Sequence, residues 1–527
     1  MALNVLLNEQ ESKVVSNYSP NILFIGIKSA IGTATSGQLK DDILNKEEAG
    51  TFFGKTSHIY QPLQTAFDLI ADRFLGNDSV GISAIGFDEN VAGVKATATI
   101  TVTGSATETK TIKVILVSAE YYTFNIEVAT GDLQSTIAQK IVDEINANIS
   151  IPVVASINGV NTNQIDLVST FKSNIGNKFH IEIDGTIQGS SFVITEFTGG
   201  TTTPDISIIK TLLVDKQYNY IVIDNQFLET DSTIREFFTN EARINRPNDN
   251  VAGMLFTTIA DTYANHHTNL PLLNTIKCNV VVAVAKNTSA LSKGNYIKEF
   301  EDNITSAFVV LQALTYTPEA NVNDFMQNSV TGLGSPSNLP VATTDTIMLN
   351  LVRRLDKNNG FSFDENKQLQ KDGAVILDID KKTLNWYVAN NTTTYLKQST
   401  GADADITDIS QWVSFLFMKS FFYENCKLRF KKTTMTSGQA VVNTQQMTKE
   451  DVKTYLMSLI NTLATEDENG VVIGIIRNDP VLLQQMEDYI DKKLVFIFKS
   501  GKIQGEILPY MVQAIKDITL TIVQSNN

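Results

Sequence analysis

Cysteine is nearly absent from this chain: Cys278 and Cys426 are the two in 527 residues. Two cysteines supply neither a disulfide framework nor the spacing of a zinc site, and they fit folding in a reducing compartment. Cys278 lies in the apolar run from 278 to 284 and reads as core. Basic charge is outweighed, with 42 Lys and Arg against 57 Asp and Glu and a formal net charge of -15. A nucleic-acid surface is normally basic, so we expect no nucleic-acid partner. The negative excess favours solubility at high concentration, and it also sets a repulsion that self-association must overcome. No run approaches the length of a membrane span, so no membrane partner is expected either. Residues 1–9 lack a basic region and a long apolar segment, unlike a secretory signal.

What the chain does have is a change of texture along its length. Residues 1–20 read as an arm with short apolar pieces, among them Val14-Val15, ending at Pro20. Ile22 to Gly26 reads as a buried strand, and Leu63, Phe67, Leu69, Ile70 and Phe74 mark a helix. From about 92 the pattern turns to alternation: Ala98, Ile100 and Val102 against Thr97, Thr99, Thr101 and Thr103. Further strands follow around 112–117, 124–128, 153–157, 165–168 and 179–183. One helix carries Leu133, Ile137, Ile141 and Ile145, with Thr130 or Asp132 as its cap. Residues 92–203 thus form a compact β-rich unit with one helix, and its excision is expected to leave the rest intact. Beyond it, near-continuous apolar strands at 220–224, 254–258 and 280–284 alternate with helices at 230–243 and 304–314. That texture predicts a mostly parallel sheet covered on both faces, completed by the segment before 92.

A third set of elements begins near 345, with helices at 345–357 and 408–426, strands at 374–379 and 383–389, and a helix after Thr448 with Glu450 and Asp451 in its first turn. Strands at 471–475, 493–499 and 502–508 follow. The last residues alternate again: Ile518, Leu520 and Ile522 on one face of a strand, Thr519, Thr521 and Val523 on the other. Its backbone groups need partners, either on its own domain or at the sheet edge of another copy.

Motifs for chemistry are incomplete. Gly50-Thr-Phe-Phe-Gly54-Lys55-Thr56 has three residues between its glycines where a phosphate loop needs four. Asp403 to Asp408 begins like a calcium loop, but Asp408 stands where the turn glycine is required and Ser414 where the bidentate Glu should be. The four histidines, His58, His180, His266 and His267, read as surface residues. A Ser-His-Asp site is spatial and leaves no fixed spacing, but no Gly-x-Ser-x-Gly elbow is present. No catalytic residue, metal ligand or cofactor is assigned.

Several stretches, taken in order, resemble the sheath proteins of contractile phage tails, in their Mu-like branch. They are Ala96 to Gly104, Ala129 to Ile141 and Asn174 to Asn177; then Asp372-Gly-Ala-Val375, Leu384 to Val388 and Thr392-Thr-Thr-Tyr395; then Arg429-Phe430-Lys431. Phe52-Phe53-Gly54 with Ser57 fits the N-terminal domain of that family, and residues 315–345 do not align. The resemblance implies an α/β and α+β multidomain protein. Its parts would be an N-terminal arm (1–20), a subtilisin-like α/β middle domain (21–91 and 204–344), a β-rich outer insertion domain (92–203), a tube-facing C-terminal domain (345–510) and a C-terminal arm (511–527). It implies a non-enzymatic virion subunit, assembled in the host cytoplasm, that polymerises around an inner tube and contracts to drive the tube through a target envelope. The implied partners are other copies of the chain, the inner tail tube protein, and the baseplate and tail terminator proteins, with no cofactor. Ile518, Thr519, Leu520, Thr521, Ile522 and Val523 would be donated to a neighbour's sheet, with Val14 and Val15 in the matching N-terminal arm. Glu466, Asp467 and Glu468 are the candidate tube contact. A hydrolase built on the α/β domain and a virion adhesin using the β-rich unit are the other readings of the sequence.

Overall fold

The structure is a computed structural model that describes residues 20–72, 80–118, 121–214, 216, 218–239, 253–275, 278–284, 301–315, 361–379, 386–390, 392–398, 400–404, 409, 446–463, 480–493, 495–497 and 502–504, with a few isolated positions between 422 and 435. It is a mixed α/β protein that divides into two compact units, Pro20–Thr315 with Asn328–Ile409, and Met1–Ser19 with Tyr316–Gln327 and Ser410–Asn527.

The larger unit is built on an eight-stranded sheet. Its parallel centre runs β3 (Gly81–Phe87), β1 (Asn21–Ile27), β11 (Tyr220–Ile223), β12 (Met254–Asp261), β13 (Cys278–Val284) and β14 (Ala374–Ile379). Antiparallel strands close both edges: β2 (Gln38–Lys40) beside β3, and β15 (Trp386–Asn390) beside β14. From Ile22 to Ile27 every residue of β1 is buried, as are all four of β11, because layers cover both faces. Helix α2 (Tyr60–Asp72) packs with α8 (Glu301–Thr315), and α8 lies against β11 and β12. The incomplete phosphate loop is instead the end of helix α1 (Lys46–Phe53). Gly54 caps it at φ 87, where a side chain would be strained, and its N–H returns to the Gly50 carbonyl.

The alternating segment folds between β3 and β11. One sheet has the order β10 (Ser190–Thr198), β4 (Lys95–Gly104), β8 (Gln164–Lys172), β7 (Val153–Ile157); the other has β6 (Tyr121–Val128), β5 (Lys110–Val117), β9 (His180–Asp184). Ala96, Ala98, Ile100 and Val102 point into the core, and the intervening threonines line the partly solvated face. Helix α3 (Gln134–Ala147) buries Ile137, Ile141 and Ile145. Leu133, expected on that face, is exposed and is the helix's N-cap residue; Asp132 does not cap the helix but accepts from the Ala129 N–H and Lys140. At the neck of the segment, the Val94 and Thr201 amides each donate to the other's carbonyl, at 3.3 and 3.1 Å.

Several elements differ from the sequence reading, and strands β3, β14 and β15 matter most for the sheet. Strand β3 was missed because Gly81-Ile-Ser-Ala-Ile-Gly-Phe87 is short and holds two glycines, yet all but Gly81 of it is buried. The sequence pattern places strands β14 and β15 in a C-terminal set starting at 345, but β14 extends the parallel sheet beside β13. Its buried run Ala374–Ile376 suits a covered strand, and without it β13 would leave open hydrogen-bonding groups at the sheet edge.

In the smaller unit, helix Lys449–Leu463 buries Val452, Leu456, Leu459, Ile460 and Leu463. The Thr448 hydroxyl accepts from the Asp451 N–H, while the Asp451 carboxylate accepts from the Thr448 N–H, an interaction that holds the carboxyl below its ordinary range. Lys453 reaches Glu487 of helix Pro480–Lys493 at 3.1 Å. Val495–Ile497 pairs antiparallel with Lys502–Gln504.

Candidate functional site

The residues singled out from the sequence, Val14, Val15, Glu466, Asp467, Glu468 and Ile518 to Val523, lie outside the described residues. The structure instead draws attention to His58, which the sequence reading places at the surface, and to Lys178, Asp224 and Asp302, which it does not single out.

Each is placed by a local feature. The Gly54 cap turns the chain so that Ser57 can accept the Tyr60 N–H at the start of α2, and His58 follows at once. Asp224 follows the last residue of β11, at the carboxyl end of a parallel strand where ligand sites of open α/β sheets gather. It caps α5 (Asn225–Thr230) by accepting the Gln226 N–H at 2.8 Å. Asp302 is the second residue of α8. Lys178 arrives from the alternating segment, at the end of a 3-10 helix, Asn174–Lys178.

The side chains of His58, Asp224 and Asp302 are 1%, 0% and 3% exposed. His58 Nε2 lies 2.5 Å from Asp302 Oδ2, and Lys178 Nζ lies 2.8 Å from Asp224 Oδ2. The Ile27 N–H donates to His58 Nδ1 at 3.2 Å, which places the ring proton on Nε2 and makes His58 the donor to Asp302. The approach is close: a Cβ on Gly26 would lie 2.8 Å from Nδ1. Burial pushes the Asp224 carboxyl up, but the Lys178 charge and hydrogen bonds outweigh it and hold the carboxyl below the ordinary range. Asp302 goes the other way, raised by burial and by the negative charge of Asp224. The Asp224 carboxylate thus faces the Lys178 ammonium, an anion paired with a cation, which a buried charge requires.

One imidazole nitrogen and two carboxylate oxygens lie within 4.8 Å of one another, a spacing that suits a metal ion. The donor set does not fit one. With Nδ1 accepting a backbone N–H, Nε2 holds its proton and offers no lone pair, and Lys178 already occupies Asp224. The same geometry opposes a general base, since the nitrogen that would take a hydroxyl proton is engaged by the backbone. The histidines correct the surface reading: His58, His180 and His266 are buried, and His267 is about half-exposed. His180 Nδ1 meets Glu196 at 2.6 Å, and His267 Nδ1 meets Asp372 at 2.7 Å. Asp403, in the solvated loop expected there, pairs with Lys397.

No family model matches the chain. Over 216 residues it is 29% identical to the Mu-like prophage FluMu tail sheath protein of Haemophilus influenzae. The chain is similar to a Mu-like tail sheath protein. The match takes in 40% of this chain and 41% of that relative, so the chain spans about two fifths of the relative's length. Among solved structures, the sheath tail protein of Desulfitobacterium hafniense is 11% identical, covering 86% of this chain and 89% of its own, at a TM-score of 0.40. That of Listeria innocua is 12% identical, covering 84% and 82%, at a TM-score of 0.35. Global likeness at that level carries no argument of its own. The sheath resemblance read from the sequence and the sheath relative agree, and a non-enzymatic role accords with that relative's description. Among the described residues, no helix is long and apolar enough to cross a membrane.

Proposed function

We propose that the chain is a structural subunit of a Mu-like contractile tail sheath. The observation that carries this is the 29% identity over 216 residues to a tail sheath protein. On this reading copies of the chain stack around an inner tail tube, between a baseplate and a tail terminator, in a virion tail assembled in the host cytoplasm. Contraction drives the tube through the target envelope. The parallel sheet with its antiparallel edges serves as the subtilisin-like middle domain, without catalysis, and residues 92–203 as the outer insertion domain. The part of the chain from Ser410 on, rather than from 345, supplies the tube-facing part, with Glu466 to Glu468 as its contact. The arm strand Ile518 to Val523 adds to a neighbour's sheet, with Val14 and Val15 in the opposite arm, so that directional hydrogen bonds persist while other surfaces rearrange.

Electron microscopy of the purified chain tests the assembly. Tubes or stacked rings are expected, and removal of residues 517–527 should leave folded, soluble subunits that no longer polymerise. Persistently monomeric full-length protein at high concentration would count against the sheath reading. Tubes formed by the truncated chain would overturn strand donation alone.

A further inference from the structure

The residues at the root of the insertion do more than join two chain ends. The 3-10 helix Asn174–Lys178 projects toward the carboxyl end of β11, where Lys178 meets Asp224, a side chain with 0% exposure. Beside this pair, Asn174 donates to Gln226, and the Thr203 hydroxyl donates to Asn174 at 2.5 Å. The Thr170 hydroxyl donates to the Thr56 carbonyl at 3.0 Å, two residues before His58. Phe171 and Phe227 flank the His58 ring, with centroids at 5.9 and 6.2 Å. Phe179 stands edge-on to both Phe171 and Phe197. One continuous apolar core runs from Leu23 and Ile223 of the parallel sheet to Phe171, Phe179 and Phe197 of the insertion.

We propose that Lys178 is a charge latch. By supplying the cation that Asp224 requires, it locks the insertion to the parallel sheet, so that the two turn as one rigid body. Asp224 caps α5 and carries the anion. Asp302, on α8, cannot neutralise it, being itself a carboxyl. His58, ahead of α2, has its ring proton committed to Asp302 and its other nitrogen to Ile27. Among the described residues, Lys178 is the lysine that touches Asp224, and it comes from the insertion. Removing one member of such a pair leaves a stranded buried charge, whereas removing both leaves a neutral contact of similar shape. The inference concerns the chain itself and stands whether or not it assembles into a sheath.

Hydrogen exchange on the full-length chain tests it, comparing Lys178→Met, Asp224→Asn and the double variant. Asparagine can still accept the Gln226 N–H, so the α5 cap is retained. Lys178→Met should speed amide exchange across residues 171–181 and 220–228 on the order of a hundredfold, while β12 and β13 stay protected. Adding Asp224→Asn should recover most of that loss, a rescue that lost packing alone would not give. Unchanged exchange in Lys178→Met, or a double variant no better than the single, overturns the latch. If Lys178→Met proves insoluble, recovery of folded protein on adding Asp224→Asn supports the proposal, and continued insolubility of the double variant overturns it.

Discussion

The parallel sheet and the insertion solve burial in opposite ways. In β11 all four residues are buried, so consecutive side chains on opposite faces meet packed layers. In β4 only every second residue is buried, and the threonines between them face water or its margin. A two-sided strand has no neutral position, whereas a one-sided strand has one at each alternate step. Room for variation follows from this: the outward face of the insertion is free to change chemistry, and the parallel sheet is not.

The sharpest way to break this contrast is to place charge on each face in turn. Ile221→Asp and Val222→Asp, on opposite faces of β11, should each cost about 4 kcal/mol or more and leave little folded protein. Ile100→Asp in β4 should be as damaging, while Thr97→Lys, exposed on the same strand, should fall within about 0.5 kcal/mol of the parent in urea unfolding. A tolerated Val222→Asp would show that the second face of the sheet is not covered. Next in size is Phe179→Ala at the seam, expected to cost about 3–5 kcal/mol by loss of two edge-on ring contacts and a residual cavity.

A pH titration separates the two buried carboxyls. Asp302 is raised above its ordinary 3.8, so its contribution to stability is present below that value and is lost as pH climbs through the raised folded value. Asp224 is lowered, so its contribution is present above 3.8 and is lost as pH falls through the lowered folded value. Asp302→Asn should therefore remove a loss of stability on the rising side of pH 3.8, and Asp224→Asn a loss on the falling side; urea midpoints across the acid range read both. Smallest of all is Lys46→Ala, which breaks a 2.8 Å pair with Asp68 between two part-exposed side chains and should cost no more than about 1 kcal/mol.

The two textures were legible because burial writes itself into residue type: continuous apolar runs for β1, β11 and β13, period-2 alternation for β4 and β8. Strand β3 was not legible, since its glycines dilute the pattern, and β14 was misplaced because a buried strand does not announce which sheet it joins. The charged cluster was out of reach for a different reason. His58, Lys178, Asp224 and Asp302 share no spacing, and only the folding of the insertion root onto β11 brings the lysine to its carboxylate. Asp224, directly after an apolar strand, was the one member with a local signal. On the latch proposal, excising residues 92–203 would take Lys178 and leave Asp224 without that partner.

The neck at Val94 and Thr201 bears on the order in which the chain folds. Asn21 at the start of β1 bonds Asn219, 198 positions away, before β11 begins. Forming that contact in an unstructured chain means closing a very long loop against its entropy. Once the insertion has formed, the two neck amides stand side by side, and the span between β3 and β11 behaves as a short one. The insertion is then a shortcut in time as well as a protrusion in space: its strands should gain protection first in pulse-labelled refolding, with the parallel sheet closing behind them.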